Sequence, residues 1–473
     1  MRVKRFIIEH REKRIVDVEF CSEYNKQNFI TLAIGQNGVG KSFIMSQLAE
    51  FFKNMEQHPK QPSDYLKYDY YKVIYVINDL EVTVECNRGE FRIITDDKYF
   101  DLTKYVPNRV LALSFMINDK FTFQKNDEVN SRYRYLGIRQ VSNASWTTSI
   151  TKGVSEQIIN SINSYKFRKQ LAAILSYLSF EQKFFIVYET RRKTLFTKGL
   201  SMKRIKEIRH NVSVKRFSSK AVKEISDDDL NRVLDFINSN NYGYYVDDTM
   251  TKLVYEFNTD FADDRLAYDI RVLKIMQNLG LIEPPKVEFI RDDVFGVDYA
   301  SSGEKNIIHT MINLAANIED GSLIIIDEPE LSLHPNWQMK YLPLLRQLFI
   351  EYKNCHYLLA THSHFMVSDA KKEDSIITHM KQLETETGLL KYGKVIEYDT
   401  YAWSVENILY TIFNVRTSRN HYFDTDVRNL IKLISAPEDN KKKIKSLSEK
   451  LSIYVLDDKD PLKQLINESE RLI

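Results

Sequence analysis

Eight residues, Gly35-Gln36-Asn37-Gly38-Val39-Gly40-Lys41-Ser42, constrain this chain more than any other stretch. They fit G-x-x-x-x-G-K-[ST], in which glycines let successive backbone N–H groups converge on phosphate oxygens with no Cβ in the way. Lys41 is placed to reach the β- and γ-phosphates and Ser42 to hold Mg²⁺, with Asn37, Gly38, Val39, Gly40 and Phe43 completing the cradle. The flanks support a nucleotide site over a mere glycine-rich turn. Residues 29–34, Phe-Ile-Thr-Leu-Ala-Ile, read as a buried strand, and Ile44, Leu48, Phe51 and Met55 fall on one face of a following helix. The loop therefore stands at a helix N-terminus, whose dipole favours anions.

A chain of 473 residues has room for two or three domains. Its 67 basic and 65 acidic residues leave a net charge of +2, so global charge argues neither for nor against nucleic acid. Cys21, Cys86 and Cys355 lie far apart with no CxxC pair, which excludes a disulfide framework, argues against zinc and suits a reducing cytosol. The charged N-terminus lacks the apolar run of a signal peptide, and no apolar stretch reaches the ~18 to 20 residues of a membrane span. A cytoplasmic protein without membrane contact is expected.

Along the chain, residues 3–9 and 15–20 read as two alternating strands around a charged turn. Residues 71–77, 81–87 and 89–94 continue an antiparallel layer, and Val110-Leu111-Ala112-Leu113-Ser114 is a short apolar strand of the parallel, buried kind. From about Ser131 to Ile282 a mostly helical stretch is expected. Within it, residues 191–224 carry twelve Lys or Arg against Glu207 and Glu224. That excess, which includes Arg191, Arg192, Lys203, Arg204, Lys206, Arg209, Lys215 and Arg216, suits DNA or RNA phosphates, a solvated helical arm or an acidic partner. Strand character returns at 287–290.

The chemistry then resumes within about 75 residues. Leu323-Ile324-Ile325-Ile326-Asp327-Glu328 is a buried strand delivering two acids at its C-terminal end. Asp327 suits the orientation of Mg²⁺ and its waters, and Glu328 suits the polarisation of an attacking water; a helix-capping Asp is the plainer alternative. Upstream, Ala300-Ser301-Ser302-Gly303-Glu304 opens a helix striped by Ile307, Ile308, Met311, Ile312 and Ala315, which is either an N-cap or a second phosphate contact. Downstream, residues 357–361 form another apolar run, and His362 stands just past it, where a γ-phosphate sensor is expected.

These motifs together resemble the ABC-type ATPase heads of the SMC, RecF and OLD group. The likeness covers roughly residues 1–130 and 285–380: Gly35 to Ser42 as Walker A, Ala300 to Glu304 as the signature loop, Asp327-Glu328 as Walker B, Glu330 to Pro335 as the D-loop and His362 as the switch histidine. It implies an α/β fold, a mixed sheet with an antiparallel β layer. Residues 1–130 and 285–395 would form the two halves of the head, 131–284 a helical insertion and 396–473 a helical C-terminal region. It further implies ATP and Mg²⁺ as cofactors, Glu328 and His362 as catalytic residues, and Ser42 and Asp327 on the metal. The head would pair with a second copy, whose Ser301, Ser302, Gly303 and Glu304 act in trans. A Q-loop glutamine is missing after Ser114; Asn118 or Asp119 is the candidate in its place, since Gln124 comes late.

Within that group the chain is most similar to the PtuA-type ATPases of Septu and retron defence systems, with AriA-like ATPases also similar. The points of likeness are its length, Tyr135-Leu136-Gly137, Ser301 to Glu304 and the segment 403–410, Trp-Ser-Val-Glu-Asn-Ile-Leu-Tyr. This implies an ATP-dependent regulator of a separate nuclease subunit, of the HNH (PtuB-like) kind ahead of a Toprim protein. The alternative is a RecF- or SMC-like clamp closing on DNA in repair. A self-sufficient Toprim nuclease has too little chain after His362, and Asp460-Pro461 reads as the N-cap and N1 of a last helix.

Overall fold

The computed structural model describes residues 1–21, 29–57, 66–94, 102–123, 131–139, 146–190, 192, 194–213, 222, 224–238, 251–261, 264–371, 373–386, 388–396, 400, 403–413, 415, 420–435, 437–454 and 460–471. Two compact units divide the chain, Met1–Ala402 and Trp403–Ile473.

The first unit opens with β1 (Arg2–His10) and β2 (Lys13–Glu19), an antiparallel pair. Then come β3 (Phe29–Ile34), the meander β4 (Tyr70–Ile77), β5 (Leu80–Asn87) and β6 (Glu90–Ile94), and β7 (Val110–Ser114) with the short β8 (Tyr133–Tyr135). Further along lie β9 (Lys183–Glu189), β10 (Lys252–Asn258), β11 (Lys286–Arg291) and β12 (Asp293–Gly296), then β13 (Leu323–Asp327), β14 (His356–Ala360), β15 (Ser375–Thr385) and β16 (Gly388–Ile396). Twelve of these form one sheet in the order β6-β5-β4-β1-β2-β16-β15-β3-β14-β13-β7-β8. From β15 to β8 every neighbour pair is parallel, and from β6 to β2 every pair is antiparallel. The hairpin β15–β16 joins the halves, β15 running parallel to β3 and β16 parallel to β2.

The parallel half is buried on both faces, which is why its strands read as unbroken aliphatic runs. Every residue of β3, β7, β13 and β14 is buried. Helix Lys41–Gln57 lies across β7, β13 and β14 and shares a core with Ala33, Ala112, Ile325 and Leu358. The alternate residues Leu111, Leu113, Ile324 and Ile326 are as deeply buried on the other side. Helix Ser302–Asn317, buried over most of its length, packs against β7. Register sets the strand ends in a row: Ala33 pairs with Ala360, Ala360 with Asp327, and Asp327 with Ser114. Whatever follows these four strands is thereby gathered at one edge, where ligands of open α/β sheets bind.

The insertion is more than helical. Beside helices such as Trp146–Ser161, Tyr165–Tyr177 and Asp227–Asn238, it supplies β9 and β10, which pair with β11 and β12 in a separate antiparallel sheet, β10-β9-β11-β12. The strand expected at 287–290 therefore belongs to this second sheet and not to the main one. Phe180, Phe184, Phe257 and Phe289 pack in a ring cluster there, with centroids 5.2 to 6.1 Å apart. The second unit is helical among its described residues, with Val427, Leu430, Ile444, Leu451 and Ile466 as its core. Its last helix, Pro461–Arg471, starts as expected, with the Leu462 amide donating to Asp460 Oδ1 at 3.0 Å.

Candidate functional site

β3 ends at Ile34, the glycine-rich loop follows, and helix Lys41–Gln57 begins at its lysine. Gly40 has φ 97°, a left-handed conformation that side chains disfavour, so the turn into the helix needs glycine. Asn37 and Gly38 are exposed, whereas Val39 is buried and fastens the loop to the core. Phe43 is half-buried, its ring edge-on to Tyr68 at 5.9 Å and covered by Lys391 Nζ at 5.3 Å.

The four strand ends bring together residues that the sequence separates by up to about 320 positions. Lys41 Nζ donates to the Gly35 carbonyl at 2.9 Å and lies 2.6 Å from His362 Nε2. Ser42 Oγ donates to Asp327 Oδ1 at 3.1 Å. Asp327 is 1% exposed, and its Oδ2 is buried without a hydrogen-bond partner among the described residues. A cavity of about 630 Å³ is lined by Asn37, Gly38, Gly40, Lys41 and Ser42 on the loop side, and by Lys120, Glu328, Glu330, Leu331 and His362 opposite.

Burial sets the electrostatics. It lowers the Lys41 ammonium to about 8, against the pull of Glu328, Glu330 and Asp327. It lowers His362 to about 4, with Lys41 adding to the shift, so the ring is neutral at pH 7 and accepts from Lys41. Burial raises Asp327 to about 7, and Glu328 and Glu330 add to the rise while Ser42 and Lys41 oppose it. A buried carboxylate oxygen with no donor among the described residues, beside a hydroxyl and near Glu328 and Glu330, suits a hard divalent cation such as Mg²⁺. Ser42 and Asp327 therefore fit the metal role.

The loop after β13 is braced from three sides. Glu328 takes φ 51°, and its amide donates to the Ala360 carbonyl at 2.9 Å. Glu330 accepts from Thr361 Oγ1 at 2.8 Å and from the His362 amide at 2.5 Å, fixing the turn that carries His362. Asn306, fully buried on helix Ser302–Asn317, donates to the Pro329 and Leu331 carbonyls at 3.1 and 2.6 Å. Sequence reasoning singled out neither Glu330 nor Asn306 for these roles. The trace of Glu330 was its place at the start of the D-loop segment, three residues after Asp327.

Ser301 and Ser302 are exposed at the start of their helix, and Gly303 is buried. A Cβ on Gly303 would come within 2.8 Å of the Ser332 carbonyl and 2.9 Å of the Trp337 ring, so this close approach requires glycine. Glu304, expected to act in trans with the serines, is engaged within its own chain. It is 8% exposed; its carboxylate accepts from the Ser301 amide at 2.8 Å in a capping box and pairs with Arg291 at 2.7 Å. Burial pushes that carboxyl up, but the Ser301 amide and Arg291 outweigh it and hold it below its usual range. Both of its oxygens are engaged inside its own chain, Oε2 by the Ser301 amide and Oε1 by Arg291.

Asp119 and Asn118, the two Q-loop candidates, sit differently. Asp119 is buried, accepting from Tyr135 Oη at 2.5 Å and from the Phe121 amide at 2.9 Å, and Asn118 is exposed outside the cavity lining. Of the basic segment, Arg191, Lys215 and Arg216 lie outside the described residues. Lys206 and Arg209 both pair with Asp227, at 2.7 and 2.9 Å, and Arg204 pairs with Glu207. Lys203 is exposed and Arg192 half-buried. The acidic run that follows the basic one thus folds back to neutralise part of it.

A family model described as an AAA ATPase domain matches residues 1–367, a span that includes every strand end described above. The chain belongs to the AAA ATPase domain family. This AAA ATPase is also 28% identical over 182 residues to the Septu protein PtuA of Bacillus thuringiensis, a match that covers 36% of this chain and 44% of that protein. Among solved structures, the SMC head domain from Thermotoga maritima is similar with a TM-score of 0.37 at 11% identity, over 84% of this chain and 100% of that one. The Smc head bound to the C-terminal winged-helix domain of ScpA is similar with a TM-score of 0.36 at 12% identity, over 84% and 98%. Among the described residues of this AAA ATPase, no helix is long and apolar enough to cross a membrane.

Proposed function

We propose that the chain binds ATP with Mg²⁺ in the 630 Å³ cavity, hydrolyses it slowly, and in doing so governs a separate nuclease subunit of an anti-phage defence complex. One observation carries the nucleotide part: Lys41 meets His362, and Ser42 meets an Asp327 whose second oxygen is unpartnered, in a single cavity. Phosphate oxygens entering there would accept from Lys41 and from the backbone amides of the loop. Ser42 and Asp327 would hold Mg²⁺, which supplies Lewis-acid stabilisation of charge on the phosphates when bound. Glu328, rimming the same cavity, would take the proton of the attacking water, and neutral His362 would donate to the terminal phosphate once Lys41 turns to it.

Ser301 and Ser302 stand exposed at a helix N-terminus, the form of a contact offered to a second copy's nucleotide. A head-to-head pair is therefore part of this reading. The likeness to PtuA supports the defence role, and the nuclease partner follows from that likeness. The clamp alternative draws on the basic helix Met202–Ser213, whose charge Asp227 partly cancels, and has less support.

Two measurements test this. Wild type, Lys41→Ala and Glu328→Gln are compared in nucleotide binding and phosphate release; Lys41→Ala should lose binding, and Glu328→Gln should bind but not turn over. Equal loss of binding in both would overturn the assignments. A tagged chain purified from cells carrying its own gene neighbourhood should bring a nuclease with it; recovery alone, or with repair proteins on DNA, would count against the defence reading.

A further inference from the structure

The turn after β7 carries a cation that the nucleotide reading has not used. Ser114 ends β7 opposite Asp327 on β13, so the chain leaves the sheet beside the acidic strand end. The turn is held from both sides of one residue. Asp119 is buried and takes hydrogen bonds from Tyr135 Oη and the Phe121 amide, and Phe121 itself is 2% exposed in the core. Lys120, between these two inward anchors, is left exposed on the cavity rim.

Charge in the cavity makes that placement informative. Lys41 and Lys120 are its two cations, set against Glu328 and Glu330. Lys41 already has acceptors in Gly35, Gln36 and His362. Lys120 makes no hydrogen bond or ion pair among the described residues, so none of its three donors is committed to them. Lys120 lines the cavity together with Glu328 and His362, the groups assigned above to the attacking water and the terminal phosphate. A terminal phosphate held by those groups is what separates a triphosphate from a diphosphate.

We propose that Lys120 binds the terminal phosphate of the nucleoside triphosphate, and so distinguishes ATP from ADP at the position where a side-chain amide was expected. This rests on the nucleotide reading above and deepens it. An ammonium suits the task because it is a mobile point charge with three donors, able to follow a phosphate without a fixed bidentate geometry. The turn's anchor also gives the sensor a lever. Tyr135, whose hydroxyl holds Asp119, lies in β8 at the start of the 131–284 insertion, so a Lys120 drawn toward phosphate pulls on that segment.

The experiment measures binding of fluorescent ATP and ADP analogues, each with Mg²⁺, to wild type, Lys120→Met, Lys120→Arg and Lys41→Ala. Lys120→Met should lose about tenfold in affinity for the ATP analogue while the ADP analogue changes less than about twofold, and Lys120→Arg should recover most of the loss. Equal losses for both analogues would make Lys120 a general electrostatic contributor and overturn the proposal, as would no loss for either. Unchanged binding in Lys41→Ala would instead sink the nucleotide reading itself, so the two failures are separable.

Discussion

Asp327→Asn is expected to stabilise the nucleotide-free protein, by an amount that grows with pH. Burial holds the Asp327 carboxyl at about 7 in the folded chain, against 3.8 for an unperturbed aspartate. Below about pH 4 it is protonated in both states and folding is unaffected. Between pH 4 and 7 the unfolded chain has released the proton that the folded chain retains, so stability falls as pH rises. Above 7 both are ionised and the penalty is constant. A shift of about three units, at 1.36 kcal/mol each, corresponds to about 4 kcal/mol. For the Met1–Ala402 unit, with an unfolding entropy of about 2.1 cal/mol/K per residue, that is about 5 °C in melting temperature. Asparagine keeps the shape and an oxygen for Ser42 but carries no charge. Melting both proteins without Mg²⁺ or nucleotide from pH 4 to 8.5 gives the test. His362, lowered to about 4, makes both proteins more stable as pH rises from 4 to 6.5, so only their difference reports Asp327. That difference should widen by about 5 °C up to pH 7 and then stay level. A difference independent of pH would refute the claim that a buried, unpartnered Asp327 waits for a cation.

Other substitutions probe the supports of the site. Glu330→Gln should leave folding intact yet loosen the His362 turn, costing about 1–3 kcal/mol of stability and lowering turnover more than binding, as read by denaturant midpoints beside phosphate release. Gly303→Ala should destabilise by about 1–3 kcal/mol, because its new methyl meets the Ser332 carbonyl and the Trp337 ring; an unchanged midpoint would show that this contact yields freely. Arg291→Met should strip Glu304 of its cation and cost about 1–3 kcal/mol, and Arg291→Lys should restore part of that. Asp227→Asn releases Lys206 and Arg209; if the basic helix meets nucleic acid, affinity should rise and fall off more steeply with salt, whereas no change in filter binding would assign the helix to another partner.

The sequence by itself determined β1 to β7, β13 and β14, the phosphate loop and the two acids after β13, because each is a local pattern. An unbroken aliphatic run declares a strand covered on both faces, alternation declares the antiparallel layer, and glycines at fixed spacing declare a loop that backbone amides must line. Boundaries read this way fell within a residue or two for β1, β4, β5, β7 and β13. Only the tertiary structure decided which groups remain free to act. Glu304 and Asp119 read as available carboxylates and proved to be spent on Ser301, Arg291, Tyr135 and Phe121, while Lys120, unremarkable in the chain, faces the cavity. The second sheet was hidden for a related reason, since β9 and β10 find their partners about 60 to 100 residues away. Hydrogen-bond capacity is finite and is allotted by contacts distant in sequence, and no local pattern records how it has been shared out.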